Sequence, residues 1–208
     1  MADSKQLIEI IRAISEKIKE QKDYLTELDR PIGDNDHGIN MARGFMAVED
    51  KLPAMEGKDC GTILKTVGMA LVSTVGGSAG PLYGTAFMKA AAPVNGKQEI
   101  DLNDFAALLE AAVAGVKMRG NATVGEATMI DAMEPSLAAI KAAVEAGKPT
   151  KEVLADGAAA AWAGAESTKP MIATKGRASY VGERGIGHQD PGATSYAYIM
   201  ETLAKAFA

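Results

Sequence analysis

Asp3-Ser4-Lys5-Gln6-Leu7-Ile8-Glu9-Ile10-Ile11-Arg12-Ala13-Ile14-Ser15-Glu16-Lys17-Ile18 decides the fold class. Leu7, Ile10, Ile11, Ile14 and Ile18 recur at the three- and four-residue spacing of one helix face, and charged residues fill the other. The polar entry from Asp3 to Gln6 reads as a capping box, in which an Asp side chain and a first-turn Gln satisfy backbone N–H groups reciprocally. The alternation that a half-buried strand needs is nearly absent from the chain.

The same period continues outward. A second helix is expected from Asp36 to Leu52, stopped by Pro53, a third from Asp59 to Val75, and a fourth from Ser78 to Ala91. Asp101 begins a fifth, with Leu102, Phe105, Leu108, Leu109 and Val113 on one face. The sixth spans Ala127 to Ala146, with Pro135 as a kink or an early-turn residue. Thr150 is expected to cap a seventh that ends near Thr168, and Asp190-Pro191 opens an eighth that reaches the C-terminus. The expectation is a single all-α domain over residues 1–208, with about eight helices and no internal repeat.

Composition narrows the class. Hydrophobic residues make up 47% of the chain and aromatics only 5%, so the core has to be aliphatic, with Ala and Met filling much of it. A net charge of −5 and no run of Lys or Arg argue against nucleic-acid and anionic-membrane binding. No apolar stretch reaches the roughly 20 residues of a membrane span. The polar N-terminus is unlike a signal peptide, and the single Cys60 fits a reducing compartment, so a cytoplasmic protein is expected.

Against this helical background, Asp29-Arg30-Pro31-Ile32-Gly33-Asp34-Asn35-Asp36 stands out. Three carboxylates in one Pro/Gly-broken turn repel one another unless a cation sits between them. Oxygen-only ligands on a flexible turn suit Mg²⁺. Asp36 has a plain structural alternative as a helix cap, whereas Asp29 ends an amphipathic run, where the helix dipole disfavours it. An EF-hand is excluded, because counting from Asp34 puts Phe45 at the twelfth position, where a carboxylate is required.

Val75-Gly76-Gly77-Ser78-Ala79-Gly80-Pro81 is the matching phosphate element. Glycines let successive N–H groups turn toward one point, and the following helix adds its positive end. Close packing of small residues is the structural alternative here. No G-x-x-x-x-G-K-[ST], G-x-G-x-x-G or V-A-I-K sequence is present, so charge neutralisation falls to a metal. Gly176, Gly182, Gly185, Gly187 and Gly192 punctuate the longest loop, which also carries Arg177, a phosphate-binding type of residue, and His188, which has no metal-ligand spacing to His37. Asp190 followed by Pro191 is an ordinary helix start that also offers free N–H groups. Met129 is either core or a wall for a nucleotide base, and its sequence context leaves both open.

Four segments together resemble a known family. D-x-x-I-G-D-x-D-H-G-x-N-M at Asp29 to Met41 and G-G-S-A-G-P-L-Y-G-T at Gly76 to Thr85 are the first two. G-x-A-T-M-I-D at Gly125 to Asp131, and G-R-A-S-Y with D-P-G-A-x-S from Gly176 to Ser195, complete the set. This pattern resembles the nucleotide-binding L subunit of bacterial dihydroxyacetone kinase and the equivalent domain of single-chain, ATP-dependent kinases.

The resemblance implies an up-and-down barrel of eight antiparallel helices with the nucleotide site at one rim. It implies that Asp29, Asp34 and Asp36 hold two Mg²⁺ ions. His37, Gly38, Ile39 and Asn40, with Ser78 and Ala79, would contact the phosphates. Gly120, Met129, Arg177, Asp190, Pro191 and Gly192 would complete the nucleotide contacts, and no residue need act as a catalytic nucleophile.

Met1 leads directly into the first helix, so a free-standing subunit of the phosphotransferase-system type is expected. In that system ADP stays bound as a coenzyme, is phosphorylated by a phosphohistidine carrier M subunit, and passes the phosphoryl group to dihydroxyacetone on a K subunit. A homodimer is compatible with this scheme. The rival readings are an ATP-dependent kinase subunit, a fatty-acid kinase domain, a nucleotide-sensing partner of a transcription regulator, and a helical scaffold without a ligand.

Overall fold

A computed structural model describes residues 1–208. It contains nine α-helices, α1 (Ser4–Glu20), α2 (Lys22–Asp29), α3 (His37–Glu49), α4 (Cys60–Thr74), α5 (Ala79–Ala91), α6 (Leu102–Gly120), α7 (Ile130–Glu145), α8 (Thr150–Ser167) and α9 (Pro191–Lys205). The only strands are β1 (Ala2–Asp3) and β2 (Glu99–Ile100), which pair antiparallel with Ala2 opposite Ile100. No helix is long and apolar enough to cross a membrane.

The caps explain most boundaries. Asp3 accepts from the Gln6 N–H at 2.7 Å while the Gln6 side chain accepts from the Asp3 N–H at 3.0 Å, so the expected capping box forms. Asp101 and Asp104 repeat the device on α6. Asp59 caps α4 through the Thr62 N–H, and three hydrogen bonds hold its carboxyl down at about 2. Thr150, in contrast, is not the cap of α8. Pro149 takes that position without a side-chain hydrogen bond, and Thr150 is already helical.

Three other boundaries differ from the sequence reading. The run to Asp29 is not one helix, because α1 ends at Glu20 and α2 restarts at Lys22. The helix after the acidic turn ends at Glu49, and Leu52–Met55 form a separate 3₁₀ turn with Pro53. α7 starts at Ile130 rather than Ala127, since Gly125 and Ala127 both adopt positive φ and cannot continue a right-handed helix. Pro135 lies inside α7.

Eight helices pack in a closed order. Going round, α1 touches α3, α3 touches α4, each of α4 to α8 touches the next, α8 touches α9, and α9 returns to α1. The short α2 packs across α3 and α9. The interior is one aliphatic cluster of 46 buried residues, which includes Ile8, Ile10, Ile11, Ile14 and Ile18 of α1 together with Phe45, Leu71, Ile140 and Leu154. Leu7 is only half-buried, and Ile8 takes its place in the core. Burying this apolar surface is the main term that holds the ring together.

Candidate functional site

The chain passes from α2 to α3 through a turn built around Asp29. Asp29 is buried at 8% exposure, and its Oδ2 accepts from the N–H of Asp36 at 2.9 Å and of His37 at 3.2 Å. Asp29 therefore does the capping for α3. Asp36 occupies the N-cap position but makes no side-chain cap bond, so its carboxylate is not spent on capping. Asn35 has φ +60°, a left-handed conformation that Asn tolerates, and this reverses the chain between Asp34 and Asp36.

The consequence is a convergence of charge. One carboxylate oxygen from each of Asp29, Asp34 and Asp36 lies within 4.8 Å of the others. An octahedral Mg²⁺ with ligands at about 2.1 Å spans about 4.2 Å between opposite oxygens, so the cluster fits one ion or a bridged pair. The donor set is all oxygen, which is the chemistry that a hard cation selects. Burial, reinforced by the charges of Asp34 and Asp29 and opposed by the Asn40 side chain, holds the Asp36 carboxyl above its ordinary value.

A side-chain relay places the glycine turn against this cluster. Asn40 Oδ1 accepts from an Arg43 guanidinium nitrogen at 2.7 Å, and Arg43 Nε donates to the Thr74 carbonyl at the end of α4 at 2.9 Å. Gly77 follows with φ +64°, which favours glycine. Ser78 then stands at the N-cap of α5, where its side chain makes no cap bond, so its hydroxyl remains available.

The two turns face a shared cavity of about 250 Å³. Asp29, Asp34, Asp36, His37, Asn40, Ser78, Ala79, Gly120, Met129, Arg177, Asp190, Pro191 and Gly192 all line it. Gly38 and Ile39 do not. Gly38 lies where α2 crosses α3, and a Cβ there would stand 1.9 Å from the Lys22 carbonyl oxygen. Ile39 points outward at 48% exposure. Only their backbone N–H groups, which bond to nothing within the chain, can serve a ligand at the α3 N-terminus. His188 is exposed and does not line this cavity.

Sequence reasoning missed several lining residues. Leu82, Val116, Ala122 and Ile130 supply apolar wall, and Tyr83 and Lys175 supply polar groups. Tyr83 was within reach, since it lies one helical turn after Ala79. The buried Asp131 was also missed. Its two oxygens accept from the N–H groups of Gly125 at 2.5 Å and Thr128 at 2.7 Å, which shapes the loop leading to Met129.

The long α8–α9 loop, residues 168–190, leans on both walls. Arg177 Nε lies 2.5 Å from Asp34 Oδ2, while Thr174 and Lys175 contact Glu126. At the loop's end Asp190 caps α9 through the Ala193 N–H at 2.6 Å. Burial, with the charges of Asp131 and Asp29 added, pushes the Asp190 carboxyl up to about 7 despite that bond. Burial likewise pushes the His37 imidazole down to about 4.

Known proteins share this architecture. The DAK2 domain family matches residues 31–205. The protein named PEP-dependent dihydroxyacetone kinase, ADP-binding subunit DhaL, from Escherichia coli (strain K12) is 43% identical over 97% of this chain and 96% of its own length. The PTS-dependent dihydroxyacetone kinase, ADP-binding subunit DhaL, of Lactococcus lactis is 42% identical over 97% of this chain and 96% of its own. The crystal structure of the dihydroxyacetone kinase from C. freundii in complex with AMP-PNP and Mg²⁺ superposes with a TM-score of 0.74 at 26% identity, over 99% of this chain and 34% of that one. By sequence along nearly its whole length and by fold, the chain belongs to the DAK2 domain family.

Proposed function

We propose that the chain is the ADP-binding subunit of a phosphoenolpyruvate-dependent dihydroxyacetone kinase, a phosphotransferase that acts only with partner subunits. The observation that carries this reading is the convergence of Asp29, Asp34 and Asp36 within 4.8 Å at a cavity whose other wall is the Gly76–Ala79 turn. Relatives that align along the full chain are named as ADP-binding subunits of such kinases, and a structural relative binds AMP-PNP and Mg²⁺.

In this reading the three carboxylates hold two Mg²⁺ ions. The N–H groups opening α3 and α5, with Asn40 and the Ser78 hydroxyl, bind the phosphates, and Arg177 adds a charged donor. Met129, Gly120 and the Asp190-Pro191-Gly192 turn hold the rest of the nucleotide. When bound, Mg·ADP would supply the phosphoryl carrier between a phosphohistidine M subunit and dihydroxyacetone on a K subunit. The chain's own work is positioning and charge neutralisation, which phosphoryl transfer chiefly requires. No side chain need become covalently modified. The site of action is cytoplasmic.

A coenzyme must stay bound through the cycle. The protein is therefore expected to purify with ADP and to turn over with catalytic nucleotide when its K and M partners and a phosphoenolpyruvate-driven relay are supplied. The test follows dihydroxyacetone phosphate with the K-type partner plus either the relay or excess ATP. Sustained turnover on ATP, with ADP released stoichiometrically, would make the chain an ATP-dependent kinase subunit instead.

A further inference from the structure

Behind the acidic turn, three side chains from three helices meet. The Ser195 hydroxyl oxygen lies 3.0 Å from Nε2 of His37 and 2.7 Å from the phenol oxygen of Tyr83. His37 opens α3, Tyr83 belongs to α5 and Ser195 to α9. Ser195 is fully buried and Tyr83 is 3% exposed, so their hydroxyls depend on one another and on nearby polar groups for hydrogen bonds. One further acceptor is in reach, the Gly192 carbonyl, 3.0 Å from Ser195 Oγ and 3.3 Å from the Tyr83 phenol.

The hydrogen arrangements that satisfy this cluster fall into two kinds, set by the tautomer of His37, and one of each kind shows the difference. In the first, His37 donates from Nε2 to Ser195, and Ser195 donates to the Gly192 carbonyl. The imidazole then carries its lone pair on Nδ1. In the second, Tyr83 donates to Ser195 and Ser195 donates to Nε2. The imidazole then carries its hydrogen on Nδ1. His37 lines the cavity and its Nδ1 has no hydrogen-bond partner within the protein, so the two arrangements differ in whether that nitrogen offers an acceptor or a donor. Phosphate oxygens repel a lone pair and accept from an N–H, so a cavity that binds phosphates selects the second.

We propose that Tyr83 and Ser195 are positioning residues that hold His37 as its Nδ1–H tautomer, a hydrogen-bond donor to the phosphates of the nucleotide. This rests on the reading of the cavity as a Mg·ADP site. Tyr83 and Ser195 act through His37, and the chain of bonds couples α5 and α9 to the first residue of α3. It thereby ties the orientation of the donor to the packing of the helix ring.

His37 and His188 are the only histidines, which makes the test direct. Long-range ¹H–¹⁵N NMR on the Mg·ADP-loaded protein, assigned against His188→Gln, should show His37 with its hydrogen on Nδ1 and a bare Nε2. Ser195→Ala should move the ring toward the other tautomer and weaken Mg·ADP binding about tenfold. Tyr83→Phe keeps the ring in place and should shift the tautomer in the same direction by less. Nε2–H in the parent protein overturns the proposal. So does a folded Ser195→Ala variant that keeps both the Nδ1–H signature and the parental affinity. Should Ser195→Ala not fold, the parent spectrum and Tyr83→Phe decide alone. A parent that carries no nucleotide as purified and, stripped of metal, binds no Mg·ADP by calorimetry overturns the functional reading, and this inference falls with it. A parent that binds Mg·ADP with His37 in the Nε2–H form overturns this inference only.

Discussion

Arg177 Nε stands 2.5 Å from Asp34 Oδ2, joining the loop before α9 to the acidic turn before α3 across 143 positions of sequence (177 − 34). Arg177 is 66% exposed and Asp34 35% exposed, so solvent screens the pair and it adds little to stability. Its significance lies in placement, because it brings the one guanidinium that lines the cavity to the carboxylates proposed to hold metal.

Arg177→Ala should lower the melting temperature by no more than about 2–4 °C, as an exposed pair contributes only about 0–1 kcal/mol. Mg·ADP affinity should fall about 10- to 100-fold through loss of a charged donor. Calorimetric titration checks this, and parental affinity would remove Arg177 from the site.

Asp34→Asn keeps shape and removes one of three converging charges. Mg²⁺ and nucleotide binding should fall roughly 100-fold or more. The metal-free protein should fold normally and be slightly more stable, since the charges of Asp34 and Asp29 both help hold the Asp36 carboxyl above its ordinary value. Unchanged Mg·ADP binding would show that Asp34 is no ligand.

A pH dependence follows from Asp190. Its folded value near 7 lies above the ordinary 3.8, so between those values the folded state holds a proton that the unfolded state has lost. The stabilisation is complete below about 3.8 and is lost as pH rises through about 7. Asp190→Asn keeps a capping oxygen but cannot titrate. From pH 5 to pH 8 the urea midpoint of the metal-free parent should therefore fall relative to that of Asp190→Asn. Parallel curves for the two proteins would show that Asp190 ionises normally.

The helices were legible in the sequence because period and caps act locally: the Ile10, Ile11, Ile14, Ile18 stripe and the Asp3, Asp59 and Asp190 caps need no tertiary partner. The acidic and glycine turns were legible because each breaks a local rule, which is the mark of a residue kept for another purpose. What stayed hidden was set by long-range packing. The division of the glycines is one case. Gly76 and Gly77 line the cavity, whereas a Cβ on Gly84 would stand 2.2 Å from Val72 Cγ2 and would force α5 away from α4. Asp29 is another, since nothing in its neighbours announces that its carboxylate caps α3 seven residues later. The break between α1 and α2 has no Pro or Gly to signal it.

Gly38→Ala tests that packing. The new Cβ would meet the Lys22 carbonyl oxygen at 1.9 Å and Thr26 Oγ1 at 2.5 Å, and backbone cannot yield as a flexible side chain does. A loss of about 1–3 kcal/mol is expected from the forced separation of α2 and α3. Mg·ADP affinity should fall as well, because Asp29 ends α2 and moves with it. Denaturant unfolding and calorimetry measure the two effects, and full stability would show that the crossing can open without cost.

The last prediction concerns retention of the nucleotide. Glu126 joins two segments that line the cavity: its Oε2 accepts from the Thr123 N–H at 2.7 Å, its Oε1 from the Thr174 hydroxyl at 2.8 Å, and Lys175 lies 3.6 Å from Oε1. One carboxylate thus pins the 168–190 loop to the turn before α7, as Arg177 pins it to the acidic turn. A loop held at both sides opens seldom, and opening is the step that lets a ligand leave. Glu126→Ala removes the side-chain part of one pin, leaving only the Thr174 N–H bond to the Glu126 main-chain carbonyl at 3.3 Å, and touches none of the proposed phosphate or metal ligands. Release of a fluorescent ADP analogue should therefore quicken by about tenfold, with a smaller change in its rate of association. Under relay-driven turnover the variant should lose its independence of added nucleotide and recover activity when ADP is supplied in excess. Release at the parental rate would mean that the Glu126 contacts shape the loop without gating the site.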